Sequence, residues 1–437
     1  MVKLSVFISF LLMMVFVGCS NGSSPKTKTS KDSSTKNGAL PAPFETSSST
    51  NFSKVIGWPA GRTPTAPAGF TVTKFADSLD HPRWIYTAEN GDIFVAESNT
   101  ILTGLKKLGA KLSRKIKTQN MGESANRITL FRDTNKDGVP ERRFVFAKGL
   151  NQPLGMLIIK DHFYIANTDG LIAYNYSLGD TKLNGAGKMI LSLPAGGYNN
   201  HWTRNIITNK KQDKIYISVG SGTNVAEHGM NNEVRRANIL EINVDGSGER
   251  VYASGLRNPV GMDWAPGTTT LWAAVNERDG LGDGLVPDYI TSVKDGGFYG
   301  WPYSYYGSNL DPRMRDEQNA ALVKKAIVPD VAMGAHTASL GLTFYNKTSF
   351  PLQYHNGVFI GQHGSWNRST LSGYKVVFVP FKDGKPSAKP IDFLTGFVAD
   401  ESKSEVYGRP VGVTILADGS MLVADDVSNI VWRIASK

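Results

Sequence analysis

The pattern of apolar and polar positions along this chain repeats one figure six times. A short polar lead-in runs into an apolar strand, and about a dozen residues after its start a second strand follows, usually behind a turn residue. The pairs are His81-Pro82-Arg83-Trp84 then GDIFVAE, Gln152-Pro153-Leu154-Gly155 then DHFYIAN, and His201-Trp202-Thr203-Arg204 then DKIYISVG. They continue with Asn258-Pro259-Val260-Gly261 then TTLWAAV, Ala338-Ser339-Leu340-Gly341 then NGVFIGQ, and Arg409-Pro410-Val411-Gly412 then DGSMLVAD. Hairpins recurring at irregular intervals of roughly 50 to 90 residues are the sequence form of a radial array of small sheets. Six copies predict an all-β chain folded as a six-bladed β-propeller. In that architecture the residues just before each innermost strand meet at one end of the central channel. Gln152, His201, Arg257, Asn258, His336 and Arg409 are therefore expected together, as a basic pocket able to move protons.

Composition agrees with strands. The 437 residues include Gly 45 and Pro 21, and no amphipathic helix of more than a few turns emerges from the periodicity. The net charge of +10 admits an acidic ligand or an anionic membrane surface. Nucleic acid is excluded as a partner, because the basic residues are scattered or lie near the N-terminus and accompany no recognition motif.

The first residues read as an export signal. Lys3 precedes an apolar run from Leu4 to Val17, short for a membrane span, that ends in Phe16-Val17-Gly18-Cys19-Ser20. A small residue followed by cysteine resembles the lipobox of bacterial lipoproteins, and Cys19 is the chain's single cysteine. The expectation is a signal peptide over 1–18, lipidation at Cys19, and placement on the periplasmic side of an outer membrane if the host has one. Residues 19–50 are poor in large apolar side chains and read as a disordered tether. Residues 51–437 carry no further low-complexity break and read as one domain.

Candidate chemistry gathers at the lead-ins. His201 titrates near neutrality and at a channel mouth can take a proton from a substrate hydroxyl; its plain alternative is a hydrogen-bonded loop histidine. Arg257 and Arg409 carry planar forks suited to carboxylates, with Asn258 beside the first; the plain alternative is binding to loop carbonyls. Glu277, Asp279, Asp283 and Asp288 lie in a glycine-rich loop and offer oxygen ligands to calcium, or are simply solvated turn carboxylates. DTNKDGVPE from Asp133 has the first spacings of a calcium loop, but Phe144 stands at its twelfth position, which predicts a hairpin turn with optional calcium. No G-x-S-x-G elbow, H-E-x-x-H, Walker loop or dinucleotide glycine fingerprint is present.

Taken together, GLRNPVGMDW, NERDGLGDGLVPDYITSV, GGFYGWPY, GQHGSWNRS and RPVGVTILADGSMLVADD resemble the quinoprotein sugar dehydrogenases that use pyrroloquinoline quinone (PQQ), sorbosone dehydrogenases above all. The resemblance runs from about Trp58 to Trp432. It implies a six-bladed propeller, PQQ and calcium as cofactors, and oxidation of a sugar or aldehyde by hydride transfer to the quinone. It also implies an external electron acceptor, a quinone or a cytochrome. His201 then corresponds to the base, and Arg257, which also stabilises charge during the reaction, pairs with Asn258 at the cofactor. Arg409 is a further cofactor arginine, Gln152 the cofactor glutamine, and Arg368 replaces a cofactor lysine. Calcium falls to the loop of Asp279, Asp283 and Asp288. Two other functions compete. A non-enzymatic lipoprotein binding glycans or protein would use Trp202, Trp301, Tyr303 and Trp366 as stacking surfaces, whereas a calcium-dependent lactonase would need an acidic shell that the basic lead-ins oppose.

Overall fold

The computed structural model describes residues 40–102 and 115–437. Cys19, the expected signal peptide and most of the expected tether lie outside the described residues. Strands dominate; among the described residues the only α-helix is Ala320–Val323, apart from short 3-10 turns.

Each of the six sequence pairs becomes the first two strands of an antiparallel sheet. The first sheet runs Pro82–Thr87, Ile93–Glu97, Arg127–Arg132 and Arg142–Ala147, and the second Met156–Ile159, His162–Asn167, Gly170–Asn175 and Lys188–Ser192. The third comprises Arg204–Thr208, Lys214–Val219, Asn238–Asn243 and Arg250–Ser254, extended by Gly297–Phe298 in parallel. The fourth takes Pro259–Trp264, Leu271–Val275, Pro287–Val293 and Val331–Ala335, and the fifth Ser339–Tyr345, Gly357–Gln362, Lys375–Lys382 and Ile391–Leu394. The sixth joins Pro410–Ile415, Met421–Asp425 and Ile430–Ser436 to Phe70–Ala76 from the other end of the domain, with Phe70 opposite Ser436.

Burial explains the two strand patterns. Second strands such as IFVAE and LWAAV are buried at every position, because they are covered on both faces and need no polar side. The outermost strand of the first sheet, RRFVFA, is exposed at half its positions and buried only at Phe146.

Neighbouring sheets are tied at their first strands, and the repeated glycine is the reason they can approach. A Cβ on Gly155 would stand 2.6 Å from the Ile206 nitrogen, on Gly261 2.5 Å from the Leu340 oxygen, on Gly341 2.2 Å from the Val411 oxygen, and on Gly412 2.6 Å from the Arg83 oxygen. Asn205 donates its side-chain amide to the Val260 carbonyl at 2.9 Å, and Ser98 donates to that of Pro153 at 2.7 Å, so six links close a ring. Trp84, Leu154, Val260, Leu340 and Val411, one from the first strand or lead-in of five different sheets, pack together within that ring. The arrangement is a β-propeller with an apolar axial plug, and the lead-in residues sit at the plug's edge.

The end of the expected tether is docked instead. The Phe44 N–H donates to the Leu281 carbonyl, Asp283 N–H to Thr46 Oγ1, Gly282 N–H to Ser48 Oγ, and Asn51 N–H to the Trp366 carbonyl. Leu40 packs on Leu281, Leu285, Val286 and Tyr305. Residues 42–52 therefore strap the loops between the second and third strands of the fourth and fifth sheets, using backbone and hydroxyl hydrogen bonds that a low apolar content does not forbid.

Candidate functional site

His201 approaches the third sheet from the 194–203 loop. Its Nδ1 lies 2.8 Å from the Ser221 carbonyl and 3.0 Å from Ser221 Oγ. That hydroxyl donates its own proton to the Thr223 carbonyl at 2.6 Å, so Ser221 offers the ring only lone pairs. The proton must therefore reside on Nδ1, which leaves the Nε2 lone pair free. Burial, then the charges of Arg257, Arg204 and Arg236, hold the imidazole well below its ordinary pKa, against the Ser221 hydrogen bond that favours protonation. Gly220 is what allows this packing: a Cβ there would stand 2.6 Å from the His201 Cβ and 2.4 Å from Asn258 Oδ1. That Asn258 oxygen is buried with no hydrogen-bond donor.

Arg257 takes the plain alternative for most of its fork. It donates Nε to the Asn224 carbonyl at 3.0 Å, Nη1 to that of Glu277 at 2.7 Å, and Nη2 to Asn224 Oδ1 at 2.9 Å, with Asp279 Oδ2 at 3.9 Å. Arg409 does likewise, donating Nε and Nη2 to the His363 and Gly364 carbonyls at 2.9 Å each. Its guanidinium lies over the Tyr374 ring, and Nη1 has no partner among the described residues. The expectation of two forks waiting for one anion is corrected: loop carbonyls, which need donors when buried, have claimed most of them. Beside Arg409, Asp426 accepts from Arg83 at 2.6 Å and contacts His363 Nε2 at 2.9 Å. Burial and then Arg409 push His363 down to about 4, despite Asp426. Gln152 gives one amide N–H to the Asn99 carbonyl at 2.8 Å, which leaves its second N–H and its oxygen to offer.

The second lead-in histidine is of a different kind. His336 Nδ1 is 3.0 Å from Asp279 Oδ1 and Nε2 is 2.9 Å from the Gly282 carbonyl, two groups that only accept. Both ring nitrogens must donate, so His336 is an imidazolium. Burial opposes that charge, yet the hydrogen bond and charge of Asp279 raise its pKa.

The expected carboxylate shell for calcium does not assemble. Asp279 is the counter-ion of His336, and half-buried Asp283 accepts from the Ser369 N–H and hydroxyl. Asp288 accepts from the Glu277 N–H at 2.8 Å, Thr337 Oγ1 at 2.9 Å and the Ser339 N–H at 3.1 Å, and burial pushes its pKa up to about 6. Glu277 pairs with Arg278 at 3.0 Å in the interior. The one three-carboxylate group among the described residues is Asp133, Asp137 and Glu141, in the hairpin joining two strands of the first sheet.

One feature was not foreseen, and one expected cofactor residue keeps most of its donors. Lys115 sits 5.7 Å from the Trp366 ring centroid and 5.9 Å from that of Phe52, two rings stacked at 5.7 Å, and burial lowers its pKa against the pull of Asp279. Arg368 makes one long contact, 3.5 Å to the Ala335 carbonyl next to His336, so its donors are nearly unspent. Of the expected stacking residues, Trp202, Trp301 and half-buried Tyr303 pack into the protein, and only Trp366 is exposed.

The TrAA12-like family matches residues 64–286 and 306–437. An uncharacterised protein of Borreliella burgdorferi is 30% identical over 388 residues, covering 84% of this chain and 89% of its own. A pyrroloquinoline quinone-dependent pyranose dehydrogenase of Coprinopsis cinerea is 24% identical over 427 residues; the match covers 84% of this chain but 54% of the fungal one, so the chain spans about half its length. The holo form of the PQQ domain of pyranose dehydrogenase from that fungus superposes with a TM-score of 0.67 at 20% identity, over 88% of this chain and all of that domain.

Proposed function

We propose, from the premise that this chain belongs to the TrAA12-like family, that it is a PQQ-dependent dehydrogenase of sugars or sugar aldehydes on a six-bladed propeller. PQQ-dependent sugar dehydrogenases are among its relatives and structural neighbours. The observation that carries the reading is His201: a neutral imidazole with its Nε2 lone pair free, beside a buried Asn258 oxygen that lacks a donor.

The donor set suits an anionic cofactor, with Lys115 added to residues already expected there. Arg368, Lys115 and the Nη1 of Arg409 have capacity left, and with Asn258 they are the groups that would hold it. When bound, PQQ supplies the two-electron acceptor. His201 then takes the proton of the substrate hydroxyl or hydrated aldehyde through Nε2, while Ser221 keeps the ring in the right tautomer. Its low proton affinity keeps it unprotonated when empty, and a polyanion bound nearby would raise that affinity toward what a general base needs. Arg257 fixes the backbone of Asn224 and Glu277 and contributes positive potential rather than a free fork. No step is assigned to calcium, because its expected carboxylates are otherwise engaged.

The sorbosone-type substrate, the lipid anchor at Cys19, the periplasmic location and the external acceptor complete the proposal and rest on the sequence motifs. The test is to supply purified protein with PQQ, with and without calcium, and follow dye reduction across a panel of aldoses and aldehydes. Turnover that needs PQQ and disappears in His201→Ala supports the reading. No quinone absorption and no thermal shift after dialysis against excess cofactor and calcium would abandon it in favour of a binding lipoprotein.

A further inference from the structure

Two buried guanidiniums behind His201 have no counter-ion. Arg204 opens the first strand of the third sheet and is fully buried; it donates Nη1 to the His201 and Thr203 carbonyls at 2.8 and 2.9 Å, and Nη2 to that of Pro194 at 2.7 Å. Arg236, 6% exposed, donates Nη2 to the Gly196 carbonyl at 3.1 Å and Nη1 to Asn199 Oδ1, which Arg204 Nη2 also reaches at 3.2 Å. Neither forms an ion pair among the described residues. The loop from Pro194 to Thr203 is irregular, with Gly197 in the left-handed region, and these two forks capture its carbonyls from one side.

Burying unpaired charge is costly, and holding loop carbonyls alone does not require it, since a neutral amide donates as well. We propose that Arg204 and Arg236 are positioning residues for His201, fixing through the carbonyls of the 194–203 loop where its imidazole stands. Charge is the second part of their role. The charged groups around His201 are Arg257 from the lead-in of the fourth sheet, Arg204 on its own strand and Arg236 before the third strand. Of the anions nearest them, Glu233 is bound to the Gly222 N–H at 2.7 Å and Thr223 Oγ1 at 2.6 Å, and Asp169 acts on Arg204 without forming an ion pair with it. The arginines therefore keep the ring neutral in acid, where an ordinary histidine would be blocked by a proton.

The role in turnover rests on the dehydrogenase reading, but its first readout does not. The imidazole of His201, assigned by His201→Asn, is titrated by NMR in the cofactor-free full chain bearing 13C-labelled histidine. Wild type should stay neutral through the range in which ordinary histidines titrate. Arg236→Gln, which keeps donors but loses charge, should move the titration up. Arg236→Lys, which keeps charge but loses the fork, should leave it low while amide exchange of residues 195–201 rises about tenfold, the equivalent of one loop hydrogen bond. Asn199→Asp is the second variant; it retains the acceptor, pairs both guanidiniums and should also raise the titration. In active enzyme the Gln and Asp variants should lose kcat/KM on the acid side relative to pH 8, with the acid limb displaced upward by about one unit. Variants that melt like wild type yet leave both titration and loop exchange unchanged overturn the proposal. Titration and exchange that respond as expected in a protein without quinone activity overturn only the dehydrogenase reading.

Discussion

His201 and His336 both stand in lead-ins at the same end of the propeller, and they have become opposite kinds of group. His201 meets a carbonyl on one nitrogen only and is surrounded by arginines, so it is neutral with a free lone pair. His336 meets an acceptor on each nitrogen, one of them the Asp279 carboxylate, so it is a fixed cation. The repeat delivers a histidine to the mouth; the second partner decides whether it can take a proton. The same rule separates the arginines, since Arg257 and Arg409 are held by carbonyls while Arg368 is almost unspent.

The hardest test of the contrast is turnover. His201→Ala should lower kcat by roughly two to four orders of magnitude with quinone affinity little changed, whereas His336→Ala should leave the rate per bound quinone within a few-fold. Single-turnover reduction of reconstituted protein measures both, and equal losses would erase the distinction.

Next in size is stability. His336→Ala leaves Asp279 and the Gly282 carbonyl without their donor and should cost about 2 kcal/mol, read by denaturant unfolding of the cofactor-free protein. His201→Ala loses one bond to Ser221 and should cost less.

Cofactor affinity comes third. Lys115→Gln and Arg368→Gln should each weaken PQQ binding about tenfold, as removal of one charge-assisted contact does, without lowering the melting temperature of the cofactor-free protein. Arg257→Ala and Arg409→Ala should lower that melting temperature themselves, because each strips donors from buried carbonyls.

The smallest effect is the pH dependence of stability. The fold lowers the proton affinity of His201, and of His363 to about 4, so their stabilisation is complete above the unfolded histidine value and is lost as pH falls below it. The fold raises that of His336, whose stabilisation is complete below the unfolded value and is lost as pH rises through the folded one. His336→Gln should therefore flatten the alkaline side of a melting-temperature profile, and His201→Gln should flatten part of the acid side.

Much of this was legible in the sequence, and what was not has a physical reason. The six hairpins were readable because each polar lead-in runs into an apolar strand, and in four of them a glycine answers a local need, close approach to the neighbouring first strand. His201 was readable for the same reason of position. The fate of Arg257 was not, because a guanidinium fits loop carbonyls as well as carboxylates and spacing does not say which lie within reach. Asp279, Asp283 and Asp288 looked like a shell because they are near in sequence, but each had its own backbone, hydroxyl or histidine partner. Lys115 comes from a short turn outside the repeat, and residues 42–52 dock through hydrogen bonds that composition does not register.

The plug formed by Trp84, Leu154, Val260, Leu340 and Val411 has a kinetic consequence. A floor closed by it beneath the lead-ins would make the site a blind cup and not a tunnel. For a dehydrogenase in such a cup, the oxidised sugar and the electron acceptor must use one doorway in turn. Steady-state rates against sugar, at several fixed acceptor concentrations, should then give parallel double-reciprocal lines, and each substrate in excess should inhibit by occupying the other's turn.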